Sequence, residues 1–197
     1  MVSPSANPRL NERKATQAAA RFLESNGGHM HHLKLLKLLY LLDREALLRW
    51  GFPVTNDVYY SLPHGPVPSG CYDLVLSEEG FWADHISSPH EHVVTLLDQA
   101  QSDELSKAEK SLIDELSTKF KKFDRFALRD YTHSLPEWQN PNGSRVLIRI
   151  EDILRAGNKS EDQIRIIVEN IEHSRVMHDL FPRKPGRLRQ PASAARG

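Results

Sequence analysis

The chain has 197 residues, 39% hydrophobic and 26% charged, which suffices for one domain with a sizeable core and excludes a disordered chain. Its 26 basic and 26 acidic residues cancel, but five basic residues and no acid fall within 183–197, leaving residues 1–182 at about −5. An acidic body lacks a nucleic-acid footprint and is compatible with a basic protein partner, while the single cysteine, Cys71, excludes an internal disulfide or a cysteine metal cluster.

Residues 1–8 lack the basic cap and apolar stretch of a signal peptide and are expected to form a disordered leader in a cytoplasmic protein. A first helix is predicted from after Pro8 to Ser25, with Ala15, Ala18, Ala19, Phe22 and Leu23 on one face and Gly27-Gly28 as its stop. The next, His31 to Trp50, is apolar nearly all round and belongs at the centre of a bundle. Lys34, Lys37, Asp43, Arg44 and Glu45 interrupt it, so it does not read as a membrane span. Gly51 ends it and Pro53 prevents its resumption.

Val58-Tyr59-Tyr60 reads as a short strand, and the prolines of Leu62–Pro68 predict a stiff, shaped loop. Ser69 is the expected cap of a helix from Gly70 to Glu79, with Tyr72, Val75 and Leu76 inward. A second strand, Val93 to Leu97, is expected to pair with Val58–Leu62. Ser106-x-x-Glu109 is a capping box ahead of a clean apolar stripe, Leu112, Ile113, Leu116 and Phe120. Asp124 caps the following helix, which carries Phe126, Leu128 and Tyr131; a short helix covers Ile150 to Ala156. Ser160-x-x-Gln163 opens the last one, whose stripe is Ile164, Ile167, Val168 and Ile171. The expected fold is mainly α: a compact helical bundle around a central apolar helix, with a small two- or three-stranded antiparallel β element. Residues 9–182 form the domain and 183–197 a disordered basic tail.

No nucleotide-binding loop or nucleophile elbow is present. Of ten histidines, His29, His31 and His32 cluster at the start of the central helix, but spacing supplies at most two ligands, short of a zinc site. His85, His90 and His92 lie in a polar connection and read as surface residues. The prolines fix His64, which suits a contact surface or equally a turn that holds the strand to the next helix. Cys71 reads as buried and inert. Trp50, Trp82 and Trp138 read as core or rim anchors, and Phe81-Trp82, if exposed, as a contact pair. The candidate partner-binding residues are therefore Tyr59, Tyr60, His64, Pro66, Tyr72, Phe81 and Trp82, with no catalytic set, cofactor or metal expected.

Lys37-Leu38-Leu39-Tyr40-Leu41-Leu42-Asp43, then Gly51-x-Pro53-x-Thr55-x-Asp57, then His64-Gly65-Pro66-Val67-Pro68 and Tyr72, resemble the Panacea domain of SocA-like antitoxins and phage-associated proteins. The resemblance continues more weakly through the Leu105-Ser106 capped helix and Thr132-His133 to Trp138, and it covers roughly residues 10 to 175. It implies a mostly helical antitoxin that neutralises a cognate protein toxin by direct contact. In one branch the antitoxin delivers the toxin to a cytoplasmic protease, a Clp-type unfoldase, as an adaptor. Some relatives carry an added N-terminal DNA-binding domain, for which this sequence has no room, so DNA binding of its own is not expected; a homo-oligomer is compatible with the family. The rival readings are a metal-dependent hydrolase or nuclease using histidines with Asp43 or Asp57, and a phage or prophage accessory interaction protein.

Overall fold

Eight helices and five short strands make up residues 10–100 and 102–180, which the computed structural model describes. The expected leader, the basic tail and residues 9, 101, 181 and 182 of the expected domain lie outside them. Helix α1 (Glu12–Ser25) starts where the Asn11 side chain accepts the Lys14 N–H, and it buries Ala15, Ala18, Ala19, Phe22 and Leu23 as its periodicity requires. Helix α2 (His32–Trp50) is buried on every side and packs against five other helices and two strands, the central position its all-round apolarity predicts. Gly51, at φ 78°, ends it in the left-handed conformation.

The strands pair differently from the expected arrangement. β1 (His29–His31) pairs antiparallel with β4 (Val93–Thr95), His31 opposite Val93. β2 (Tyr59–Leu62) instead lies between β3 (Gly65–Pro68) and β5 (Val146–Ile148). The proline-rich stretch expected as a loop is thus an edge strand, joined to β2 by the two-residue turn Pro63-His64. Its prolines alternate, so Gly65 and Val67, opposite Leu62 and Tyr60, retain the N–H groups that can face β2. The Pro66 carbonyl is left pointing away from the sheet, where the Lys37 Nζ donates to it at 2.7 Å.

Helix α3 (Ser69–Leu76) is not capped by Ser69, because a carboxylate from an earlier turn does that work. Asp57 accepts the Gly70 and Cys71 N–H groups, one on each oxygen, both at 2.8 Å. The helix stops at Leu76 and buries Cys71 and Val75; Tyr72 and Leu76, expected inward, face outward. Helix α4 (Phe81–His85) follows. Helix α5 (Lys107–Lys119) opens with the expected capping box, α6 (Arg125–His133) with Asp124 accepting the Phe126 and Ala127 N–H groups. Helix α7 (Ile150–Ala156) and α8 (Glu161–Leu180) complete the bundle, Ser160 and Gln163 exchanging the second expected box. Among the described residues no helix is long and apolar enough to cross a membrane.

Candidate functional site

Two of the sequence's densest motifs are spent on architecture. Asp43, fully buried, accepts the Val54 and Thr55 N–H groups at 2.8 Å each, the Tyr59 hydroxyl at 2.9 Å and the Thr55 hydroxyl. Burial raises its pKa to about 6 against these hydrogen bonds, which pull it down. Asp57 holds α3, as above. Glu137, buried beneath α2, accepts the Tyr40 hydroxyl at 2.8 Å and the Arg44 Nε–H at 2.7 Å. Neither Asp43 nor Asp57 presents a carboxylate to solvent, so the rival hydrolase reading loses its acids.

A cleft of about 470 Å³ opens where the first turns of α2 and α6 meet the β2–β3 hairpin. Leu62, Pro63, His64 and Val67 form one wall, with Tyr72 of α3 beside them. His31 enters from the end of β1, His32 and Leu33 from α2; Arg125, Phe126 and Arg129 enter from α6, and His92 from the turn before β4. Lys37 lies in the lining from below, on the helical face of α2 that also carries Leu33. Among the described residues no aspartate or glutamate lines this space.

Its electrostatics follow from that composition. Lys37 is 1% exposed and has no ion-pair partner among the described residues, so burial pulls its ammonium down to about 7. Arg125 likewise makes no ion pair there, and its guanidinium stands 4.6 Å from the centre of the Phe126 ring, itself 49% exposed. Arg129 reaches the same ring at 5.4 Å and pairs with the exposed Asp130. Asp124 is turned onto its own helix amides. Behind the cleft, His133 stacks on Trp138 with ring centres 4.1 Å apart; its buried Nε2 has no hydrogen-bond partner among the described residues. Burial, then the charges of Lys37 and Arg129, lower its pKa.

Gly65 makes the hairpin's approach to Lys37 feasible. It sits at φ 92°, and a Cβ there would come within 2.9 Å of the Thr132 Oγ1, 3.0 Å of the Lys37 Nζ and 3.1 Å of the His133 Cδ2.

The fold rearranges the histidines. His29 stays outside, its Nδ1 3.2 Å from the Gly27 carbonyl, whereas His92 joins His31 and His32 with their candidate ligand nitrogens all within 4.8 Å. Among the described residues these three are the group placed to hold a metal ion. Two observations weigh against one. The His31 Nδ1 already accepts the Leu33 N–H as the cap of α2, which puts the proton of the neutral ring on Nε2. Burial and then the Arg125 charge press the His31 pKa down to about 4, and that charge would also repel a bound cation.

Of the seven predicted contact residues, the cleft collects His64 and Tyr72. Tyr59 and Trp82 are buried at 1% and 0% exposure, and Pro66 is buried in β3, so these three offer no surface to a partner. Their aromatic or rigid character serves the core: Tyr59 packs edge-on against Tyr40 at 5.7 Å and bonds Asp43. Tyr60 is half-buried outside the cleft, with the Arg145 guanidinium 4.9 Å from its ring centre. Phe81, also half-buried, lies under Arg13 at 4.2 Å and beside His85. Cys71 is buried as expected. Sequence reasoning missed Lys37, Arg125, Phe126 and Arg129. Two signals were available: a lysine inside an otherwise apolar helix, and two arginines four apart around a phenylalanine on a helix's first turn.

A family model described as antitoxin SocA-like, Panacea domain, matches residues 35–139, a span that includes Lys37, the hairpin and α6. No curated protein and no solved structure is significantly similar to the chain.

Proposed function

This chain belongs to the SocA-like Panacea antitoxin family, and from that premise we propose that it neutralises a cognate protein toxin by holding it directly, at the cleft between α2, α6 and the β2–β3 hairpin. The observation that carries this reading is the cleft's composition. Preformed walls of Leu33, Leu62, Pro63, Tyr72 and Phe126 surround Lys37 and Arg125, cations with no ion-pair partner among the described residues. The hairpin supports it: Pro63, Pro66 and Pro68 remove chain entropy before a partner arrives, so more contact energy appears as affinity. Tyr72 and Phe126, exposed at 36% and 49%, are the aromatic anchors of the surface.

The test is growth rescue on co-expression with the toxin, read beside the toxin's half-life. His64→Ala, Tyr72→Ala and Phe126→Ala variants that stay folded by circular dichroism lose rescue if the cleft is the contact. Rescue by all three at full strength would place the contact elsewhere. Rescue accompanied by rapid loss of the toxin would mark a proteolytic adaptor instead of a direct neutraliser.

A further inference from the structure

We propose that the cleft is a receptor for an acidic segment of the protein partner, a carboxylate of which seats against Lys37 between Arg125 and Arg129. The inference rests on the antitoxin reading and names the chemistry of what the cleft receives.

The argument is one of unmatched charge. Residues 1–182 carry a net negative charge, and the ion-paired arginines elsewhere on the chain, such as Arg21 with Asp114 and Arg49 with Glu115, have their carboxylates within 2.6 Å. The cleft departs from that pattern: among the described residues Lys37 and Arg125 have no carboxylate partner and none lines the walls, while Arg129 pairs with the exposed Asp130. Lys37 is the decisive residue. Its ammonium is removed from water, and the one hydrogen bond found for it among the described residues goes to the Pro66 carbonyl. A protonated lysine has three donors, so two remain for a ligand oxygen. Arg125 and Arg129 stand above it on α6, one turn apart. His64 and His31 line the same space and His133 lies behind it, none of them supplying negative charge.

A bare phosphate would satisfy the cations and leave Leu33, Leu62, Tyr72 and Phe126 uncovered. A polypeptide covers both, its apolar side chains on the walls and its carboxylates on the cations, and a volume of about 470 Å³ admits a few side chains. The body's overall charge favours a basic partner at long range, but the cleft selects for acid at contact.

The experiment selects a displayed library of random dodecapeptides on the full chain, then measures a fluorescein-labelled winner by anisotropy. Winners are expected to combine Asp or Glu with apolar residues. Their affinity is expected to fall at least tenfold on changing the acids to amides, at least tenfold in the Arg125→Gln/Arg129→Gln double variant, and not at all in Arg145→Gln, whose arginine lies over Tyr60 outside the cleft. Neutral or basic winners, no enrichment, or equal binding by the double variant would overturn the proposal. Displacement of the winner by millimolar inorganic phosphate or a twelve-nucleotide single strand would overturn it in favour of a phosphate ligand. Growth rescue separates this from the antitoxin reading. Acidic winners with full rescue by the double variant would leave the receptor standing and remove the toxin from it; lost rescue without acidic winners would do the reverse.

Discussion

Replacing Lys37 by methionine should make the protein more stable and less functional at once. The methionine fills the space of the lysine stem with no charge to bury. Burial lowers the lysine from 10.5 to about 7, and that displacement costs the native state on the order of 4 kcal/mol at pH 7. Against this stands the lost hydrogen bond to the Pro66 carbonyl, about 2 kcal/mol for a charged donor. The net gain is about 2 kcal/mol, a rise of roughly 4–8 °C in melting temperature for a chain of this size. The sign of the pH dependence follows from a base depressed by folding. Its stabilising contribution is complete above the unfolded lysine value and is lost as pH falls toward 7, because the unfolded chain binds the proton more tightly. Wild-type stability therefore climbs from pH 7 to 9, the variant gains nothing from this source, and the gap closes by about pH 9. His133 lies behind the cleft near Lys37, but its lowered pKa puts its titration below that window. Thermal melts of both proteins at pH 7, 8 and 9, beside growth rescue, make the check. A variant that melts below wild type at pH 7, with a gap that does not change by pH 9, would show that Lys37 is a structural staple and not a cation held for a partner.

Tyr59→Ala should unfold the site instead of baring it, costing about 3–5 kcal/mol by truncating a buried aromatic that also bonds Asp43; a chemical denaturation curve within 1 kcal/mol of wild type would contradict this. Gly65→Ala should destabilise by about 2–4 kcal/mol, from a left-handed backbone and a Cβ pressed on Thr132, Lys37 and His133, and an unchanged melting temperature would show that the hairpin yields. Asp57→Ala should cost about 2 kcal/mol by freeing the Gly70 and Cys71 amides, with faster amide exchange confined to the start of α3; exchange unchanged there would refute the cap. Elemental analysis of purified protein is expected to find no stoichiometric zinc or manganese, and about one ion per chain, lost on His32→Gln with His92→Gln, would reverse the reading of that cluster.

The seven predicted contact residues show where a pattern in sequence stops being informative. Tyr59 and Tyr60 are adjacent and alike, yet successive residues of a strand face opposite ways, and pairing alone decides which of them enters the core. Phe81 and Trp82 divide in the same way on α4. A helical phase through Tyr72, Val75 and Leu76 predicts Tyr72 inward, whereas packing turns Cys71 and Val75 to the core and Tyr72 out. His64 was legible because prolines constrain the chain locally, whatever packs around it.

What the sequence determined by itself is what short-range physics settles. Helix starts at Ser106, Asp124 and Ser160, the stop at Gly51 and the burial of α2 follow from hydrogen bonds and periodicities confined to a turn or two of chain. Tertiary structure alone decided which strands pair, that Asp57 and not Ser69 holds α3, and that His92 lies with His31 and His32. It alone brought Lys37 beneath arginines from a helix that begins at Arg125. Those neighbours are separated by tens of residues, and their meeting depends on how helix faces and strand edges share one core. The pattern of any single segment leaves that choice open, so a chain with a net negative body carries a cleft lined by cations.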